Sequence, residues 1–252
     1  MSDRMKIKTA IVTGGAHGLG QATAMRLASE GVHVAIADRD AEGLESTVGL
    51  IREAGGTADF WVADCTDVGE INSTVAAITA KIGPIEGLVN NVGGSAGADA
   101  APFHEQSAEV FWRVVNQCLM ATIHWSRAVV PQLREAKAGK IVSIASDAAF
   151  AGDVNMSEYS AAKAGVVGFT RALARELSPF EINVNAVAPG PIATAALERL
   201  APDVLARAAA AIPLGHLGKP TDISNAVSFM MSSEADFITG QTLIVGGGRW
   251  LH

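Results

Sequence analysis

One rhythm narrows what this chain can fold into more than any other feature. Short, nearly continuous apolar runs alternate with longer stretches of helical period, from one end of the chain to the other. The runs are Thr9–Thr13, His33–Ala37, Ala58–Ala63, Gly87–Asn90, Lys140–Ala145, Glu181–Val187 and Thr242–Val245. Few of them alternate apolar with polar residues, which is how strands buried on both faces of a parallel sheet read. Helical stretches lie between them, near 18–30, 40–54, 67–82, 107–135, 157–178 and 220–232. Strand, helix, strand repeated along a chain predicts helices on both faces of a mostly parallel sheet. We therefore expect one doubly wound α/β domain over residues 1–252, with about seven strands. Apolar residues make up 49% of the chain and charged residues 18%, so a large core can form and disorder is not expected.

The rhythm breaks once. After Pro189-Gly190-Pro191 comes an Ala-rich segment, 193–211, before the next helix. A strand end followed by a helical insertion reads as a lid over a site. The alternative is a plain surface excursion.

The first strand ends in Thr13-Gly14-Gly15-Ala16-His17-Gly18-Leu19-Gly20 and opens a helix. Glycines let backbone turn sharply and approach a pyrophosphate, and the helix N-terminus offers N–H groups and a positive dipole end. Three glycines alone are a weak motif; between a strand and a helix they gain meaning. Asp38, at the end of the second strand, can accept hydrogen bonds from the adenosine ribose hydroxyls of a dinucleotide. It would repel a 2′-phosphate, which favours NAD over NADP. Arg39, next in sequence, works against that preference.

Tyr159 and Lys163 stand four apart on a helical stretch, so their side chains share a face. A lysine about 5 Å from a phenol, at an effective dielectric near 20, favours the phenolate by roughly 3 kcal/mol, or about two pKa units. Such a tyrosine could exchange a proton with an alcohol or ketone oxygen. Alone, the spacing is equally a coincidence of a surface helix.

In order and spacing these pieces match a family. Thr13-Gly14-x3-Gly18-x-Gly20, Asp64, Asn90-Asn91-Val92-Gly93, Asn116, Ser146, Tyr159-x3-Lys163, and Pro189-Gly190 with Thr194 resemble the short-chain dehydrogenase/reductases, over essentially the full length. The resemblance implies a Rossmann fold and an NAD-dependent oxidoreductase interconverting a secondary alcohol and a ketone. It implies Tyr159 as general acid/base and Lys163 as the group that lowers its pKa and holds the nicotinamide ribose. Ser146 would hydrogen-bond the substrate oxygen, and Asn116 would hold a water linking Lys163 to solvent. Cofactor contacts are implied for Gly14, His17, Gly18, Leu19, Gly20, Asp38, Arg39, Asp64, Cys65, Asn90, Val92, Gly93, Pro189, Gly190, Ile192 and Thr194, besides Tyr159 and Lys163. Val92 replaces the usual alanine, and Gly246 replaces a common aspartate. Similar enzymes are commonly homotetramers built through the helices at 107–135 and 157–178 and the last strand. The small residues Ala161, Ala162, Ala164, Gly165 and Gly168 would serve that packing, or packing on the chain's own sheet.

Other chemistries fit less well. Gly93-Gly94-Ser95-Ala96-Gly97 has the G-x-S-x-G form of a hydrolase elbow, but the elbow must run into a helix, and Ala98–Pro102 reads as a loop. A non-catalytic NAD-binding sensor or assembly subunit would not need Asn116, Ser146, Tyr159 and Lys163 together. The six histidines lack metal-ligand spacing, and Cys65 and Cys118 form no CxxC, so no metal is expected. The net charge of −7 without basic clusters argues against nucleic acid. Met1-Ser2-Asp3-Arg4 leads almost directly into a strand, and no apolar stretch has spanning length; a soluble cytoplasmic protein without membrane association is expected. For the substrate, Asp147, Ala148, Phe150, Ala151, Met156, Ser95, Phe103, Leu197 and Leu200 offer a largely apolar lining, suited to a hydrophobic or cyclic secondary alcohol. A weaker resemblance points to cyclic β-hydroxyacyl-CoA dehydrogenases and 3-oxoacyl thioester reductases, the latter as an NADP-dependent alternative. Arg199, Arg207 or Arg249 would then meet CoA phosphates. The tail Arg249–His252 would close over the pocket or reach a neighbouring subunit's.

Overall fold

The computed structural model describes residues 4–194 and 202–251; Leu197, Arg199, Leu200 and His252, named above, lie outside the described residues. Seven parallel strands form one sheet in the order β3-β2-β1-β4-β5-β6-β7. They are β1 (Thr9–Thr13), β2 (His33–Asp38), β3 (Thr57–Val62), β4 (Gly87–Asn90), β5 (Gly139–Ile144), β6 (Ile182–Pro189) and β7 (Thr242–Val245). Each lies within two residues of an apolar run read from the sequence. The sheet is doubly wound: Ala10 and Val12 face one buried layer with Leu27, Leu44 and Ile223, while Ile11 between them faces the other with Ile71, Trp125 and Leu133. Alternation along β1 thus feeds two layers, which is why its sequence is apolar throughout.

The helices start where the sequence supplies caps. Helix α1 is Gly18–Ser29, α2 is Ala41–Glu53 and α3 is Val68–Ile82. The Asp40 and Asp67 carboxylates accept from the N–H groups of Gly43 and Glu70 at the starts of α2 and α3, satisfying donors a helix leaves orphaned. The stretch read as one helix over 107–135 is instead three pieces. Helix α4 (Ala108–Val115) meets a π-helical turn, Asn116–Met120, which runs into α5 (Ala121–Ala136). In that turn the Ala121 N–H donates to the Asn116 carbonyl. Leu119 leaves the turn over Gly165, where an added Cβ would stand 2.8 Å from a Leu119 methyl. Gly165 therefore packs within the chain, against the π-helical turn and not against the sheet. A short helix α6 (Ala148–Ala151) follows β5, then α7 (Ser157–Leu177), α8 (Pro202–Ala210) and α9 (Pro220–Met231).

Between β6 and α9 the chain makes the excursion read as a lid. Its two ends meet: Ile192 and Gly218 form an isolated parallel bridge, and the Ala193 N–H donates to the Gly218 carbonyl at 2.8 Å. Strand order reverses direction at β1, whose neighbours β2 and β4 continue to opposite sides. A crevice opens above the carboxyl ends of such a pair, where open α/β sheets bind ligands.

Candidate active site

The crevice is a cleft of about 680 Å³. The loop between β1 and α1 forms its floor. Gly14 and Gly18 hold φ of +66° and +55°, and a Cβ on Gly20 would stand 2.1 Å from the Gly14 carbonyl oxygen. Only glycine allows this close turn. The first turn of α1 holds no acidic residue, so its N–H groups and positive dipole end face the cleft without an internal anion. Loop and helix fit a pyrophosphate.

Of the residues expected at a cofactor, most line this one cleft: Gly14, His17, Gly18 and Leu19 of the loop; Asp38 and Arg39; Asp64 and Cys65; Val92 and Gly93; Pro189, Gly190, Ile192 and Thr194; and Ser146, Tyr159 and Lys163. The Asp38 carboxylate accepts from the Ala16 and Asp40 N–H groups, both at 3.2 Å, which locks the acidic group against the glycine loop. His17 Nε2 lies 2.6 Å from Asp40 Oδ2. Arg39 helps to hold the Asp64 carboxyl below its usual range, after hydrogen bonds from the Thr66 hydroxyl and N–H.

Three expected residues lie elsewhere. Gly20 shapes the loop from beneath, buried. Asn90 is the last residue of β4, in register with Ser143, and its buried amide donates to the Ser126 and Ser143 hydroxyls; a side chain spent inside the sheet cannot line the adenosine side. The next residue, Asn91, does line the cleft. Its Nδ2 donates to the Thr13 and Gly14 carbonyls at 3.0 and 2.9 Å, tying β4 to the glycine loop. The Asn90-Asn91 pair was the available signal, and the end of the strand decides between its members. Asn116 opens the π turn and is exposed, outside the cleft lining, whereas its neighbour Gln117 lines it. Thr66, Gly94, Arg113, Ile144 and Ala145 complete the lining.

Tyr159 and Lys163 lie on α7 as expected, with Lys163 Nζ 5.8 Å from the centre of the tyrosine ring. The expected lowering of the phenol does not occur in this cofactor-free cleft. Burial pushes the Tyr159 pKa up to about 12; the Ser146 side chain pulls it back, and Cys118, Asp147 and Asp153 push it further up. Burial also drives Lys163 below its ordinary value, Cys118 acting in the opposite sense. Lys163 Nζ donates to the Ile144 carbonyl at 2.6 Å, which fixes it beneath the cleft. Gly93 leaves the room, since a Cβ there would stand 3.1 Å from Lys163 Nζ and from Cys118 Sγ.

No hydrolase elbow forms. Gly93 and Gly94 lead to a three-residue turn, Gly97–Asp99, and the Ser95 hydroxyl accepts from the Gly97 N–H at 3.4 Å. Among the described residues no helix is long and apolar enough to cross a membrane.

Comparison with known proteins agrees with this geometry. The family described as short chain dehydrogenase matches residues 8–204. The chain belongs to the short chain dehydrogenase family. Like that family, it is an oxidoreductase acting on a secondary alcohol, a ketone or a 3-oxoacyl group, and it takes a nicotinamide cofactor. One relative is the (2S)-[(R)-hydroxy(phenyl)methyl]succinyl-CoA dehydrogenase subunit BbsD of Thauera aromatica, 39% identical over 97% of each chain. Another is the cyclohexanol dehydrogenase of Rhodococcus sp. strain TK6, 36% identical over 98% of each chain. Among solved structures, a variant actinorhodin polyketide ketoreductase with NADPH superposes with a TM-score of 0.91 at 34% identity, covering 97% of this chain and 98% of that one.

Proposed function

We propose that this dehydrogenase interconverts a hydrophobic, ring-bearing secondary alcohol and its ketone with NAD. The observation that carries the reading is that Ser146, Tyr159 and Lys163 open into the same cleft as the glycine loop and Asp38. The dinucleotide, when bound, supplies hydride acceptance or donation at the substrate carbon. The chain's own residues handle the oxygen. Ser146 and Tyr159 hydrogen-bond it, Tyr159 exchanges one proton with it, and Lys163 holds the ribose and adds positive charge. Asn116, exposed and outside the cleft, takes no part in this set. The cofactor residues that line the cleft bind as the sequence implied, Gly20 shapes the loop beneath them, and Asn91 stands in the lining where Asn90 was expected.

NAD preference rests on the Asp38 carboxylate, which faces the ribose end of the cleft and repels a 2′-phosphate. Arg39, turned to Asp64, is less free to offset it. A ring-bearing substrate is supported by the names of the two relatives. We further propose a cytoplasmic homotetramer packed through α4, α5, α7 and β7. Reduction of a 3-oxoacyl thioester with NADP is the second reading, favoured by likeness to the ketoreductase.

A screen of NAD and NADP reduction with cyclohexanol, aryl carbinols, β-hydroxyacyl-CoAs and polyols tests these proposals. Turnover of ring alcohols with higher kcat/KM for NAD is expected. Higher kcat/KM for NADP, or turnover of β-hydroxyacyl-CoAs alone, favours the second reading. Dinucleotide binding with no turnover on the whole panel would make the chain a non-catalytic binder. Gel filtration at monomer size would remove the tetramer.

A further inference from the structure

The C-terminal turn reaches back to the catalytic residues of its own chain. Arg249 Nη1 donates to Asp147 Oδ2 at 2.8 Å, and Arg249 Nη2 donates to Asp153 Oδ1. The two acceptors are placed to matter. Asp147 follows Ser146 directly, is almost wholly buried, and its N–H donates to the Pro189 carbonyl at 2.9 Å. Its carboxylate lies under two glycines: a Cβ on Gly190 would stand 3.3 Å from Asp147 Oδ2, and one on Gly246 would stand 3.8 Å away. Asp153 lies in the segment between α6 and α7, six residues before Tyr159. The same C-terminal turn touches the end of the excursion, where the Leu214 N–H donates to the Gly247 carbonyl at 3.2 Å. One guanidinium thus joins the Ser146 loop, the approach to the Tyr159 helix and the C-terminus.

We propose that Arg249 is a positioning residue: its guanidinium clamps the two loops that carry Ser146 and Tyr159, and neutralises the carboxylates of Asp147 and Asp153 beside the tyrosine. The proposal rests on Tyr159 being the acid/base, and it adds the group that sets its surroundings. A guanidinium is suited to this because its fork spans two carboxylates and it stays charged at any working pH. The other groups around Tyr159 do not replace it. Ser146 is neutral, Cys118 acts in the same sense as the two carboxylates, and Lys163 Nζ donates to the Ile144 carbonyl, not to either carboxylate. Glu158, adjacent on α7, is buried and adds no positive charge. Arg113, on α4, also lines the cleft, but it is spent on Asp99. Without Arg249, two carboxylates would face the phenol unbalanced and hold its proton more tightly.

The chain has a single tyrosine, so the test needs no substrate. Protein labelled with carbon-13 at the tyrosine Cζ gives one NMR signal, and its pH titration reads Tyr159 directly. In Arg249→Ala the midpoint should rise by about half a pH unit or more, or move out of reach at high pH, as expected for two uncovered charges nearby. Arg249→Lys should return it most of the way. Asp153→Asn, which removes one carboxylate and leaves the Asp147 pair, should lower it. Asp153→Asn also keeps the test decisive should Arg249→Ala fail to fold. Midpoints within about 0.2 units of wild type in folded Arg249→Ala, or in Asp153→Asn, would overturn the proposal. A separate assay addresses the reading beneath it. Full turnover in Tyr159→Phe would refute the acid/base role whatever the titrations show.

Discussion

Substitution of Gly20 by alanine sets two opposed effects against each other. Gly20 sits in the first turn of α1. On helix propensity alone, alanine should stabilise that turn by about 0.5–1 kcal/mol. The surroundings say otherwise. An added Cβ would stand 2.1 Å from the Gly14 oxygen, 2.8 Å from the Gly14 carbonyl carbon and 2.6 Å from Asn91 Nδ2. Two of these are backbone atoms, so no side chain can swing aside. To reach ordinary contact, α1 and the loop must part by about 1.3 Å, an overpacking that costs roughly 1–3 kcal/mol. The Asn91 bonds to the Thr13 and Gly14 carbonyls lie in the path of that movement. A displacement of about 1 Å in a positioning element costs on the order of a hundredfold in the interaction it aligns. Gly20→Ala should therefore bind NADH about a hundredfold more weakly, read by calorimetry, and unfold at lower urea. Gly49→Ala is the matched control. Gly49 is interior to α2 with nothing within 4 Å of an added Cβ, so it should gain about 0.5–1 kcal/mol with NADH affinity unchanged. Gly20→Ala that matches wild type in affinity and stability would refute the view that close backbone approach shapes this site.

Other predictions follow from single observations. Tyr159→Phe should reduce turnover by at least about a thousandfold, within the range for loss of a general acid/base, while NADH affinity changes little; steady-state kinetics and calorimetry separate the two. In the cofactor-free protein, tyrosinate absorbance should show no transition below about pH 10, the ordinary tyrosine value, because burial holds Tyr159 near 12. Asn90→Ala should cost about 1–2 kcal/mol in urea unfolding, for loss of buried hydrogen bonds, yet leave NADH affinity as it was. Asp236→Asn should destabilise by about 1 kcal/mol at pH 7, the half-exposed carboxylate limiting the effect. The Lys140 hydrogen bond holds the Asp236 carboxyl below its ordinary value. Its contribution is therefore complete above about pH 4, the unfolded value, and is lost as pH falls through the lower folded value. Wild type and variant should converge in acid.

Strands β1, β2, β4, β5 and β6 were legible because a strand covered on both faces leaves a local record, several apolar residues in succession. The residues expected to be catalytic came from resemblance, by order and spacing; Ser146, Tyr159 and Lys163 line one cleft, and Asn116 does not. What escaped depends on distant parts of the chain. The π turn at Asn116–Met120 contains neither glycine nor proline; it is bound up with Leu119 packing over Gly165 on another helix. Asn90 and Asn91 are chemically identical, and their roles separate only where β4 stops pairing. The phenol's shift was not legible because the spacing of Tyr159 and Lys163 shows a neighbouring charge and not the burial of the phenol itself, which has the largest effect on it. The Arg249 ion pairs join residues about a hundred positions apart, which no window along the sequence detects.

The bridge between Ile192 and Gly218 separates inheritance from innovation in this fold. Because the two ends of the excursion are fastened to each other, the entropy of closing that loop is met at its base. Lengthening such a loop is inexpensive, with each doubling costing about 0.6 kcal/mol. Replacement of the stretch between Thr194 and Leu214 by a foreign segment would keep the base bond of Ala193 and the contact of Leu214 with Gly247, and leave the sheet, the glycine loop and α7 in place. A graft there is thus expected to change the excursion without moving the cofactor cleft, which the NADH affinity of the chimaera would read.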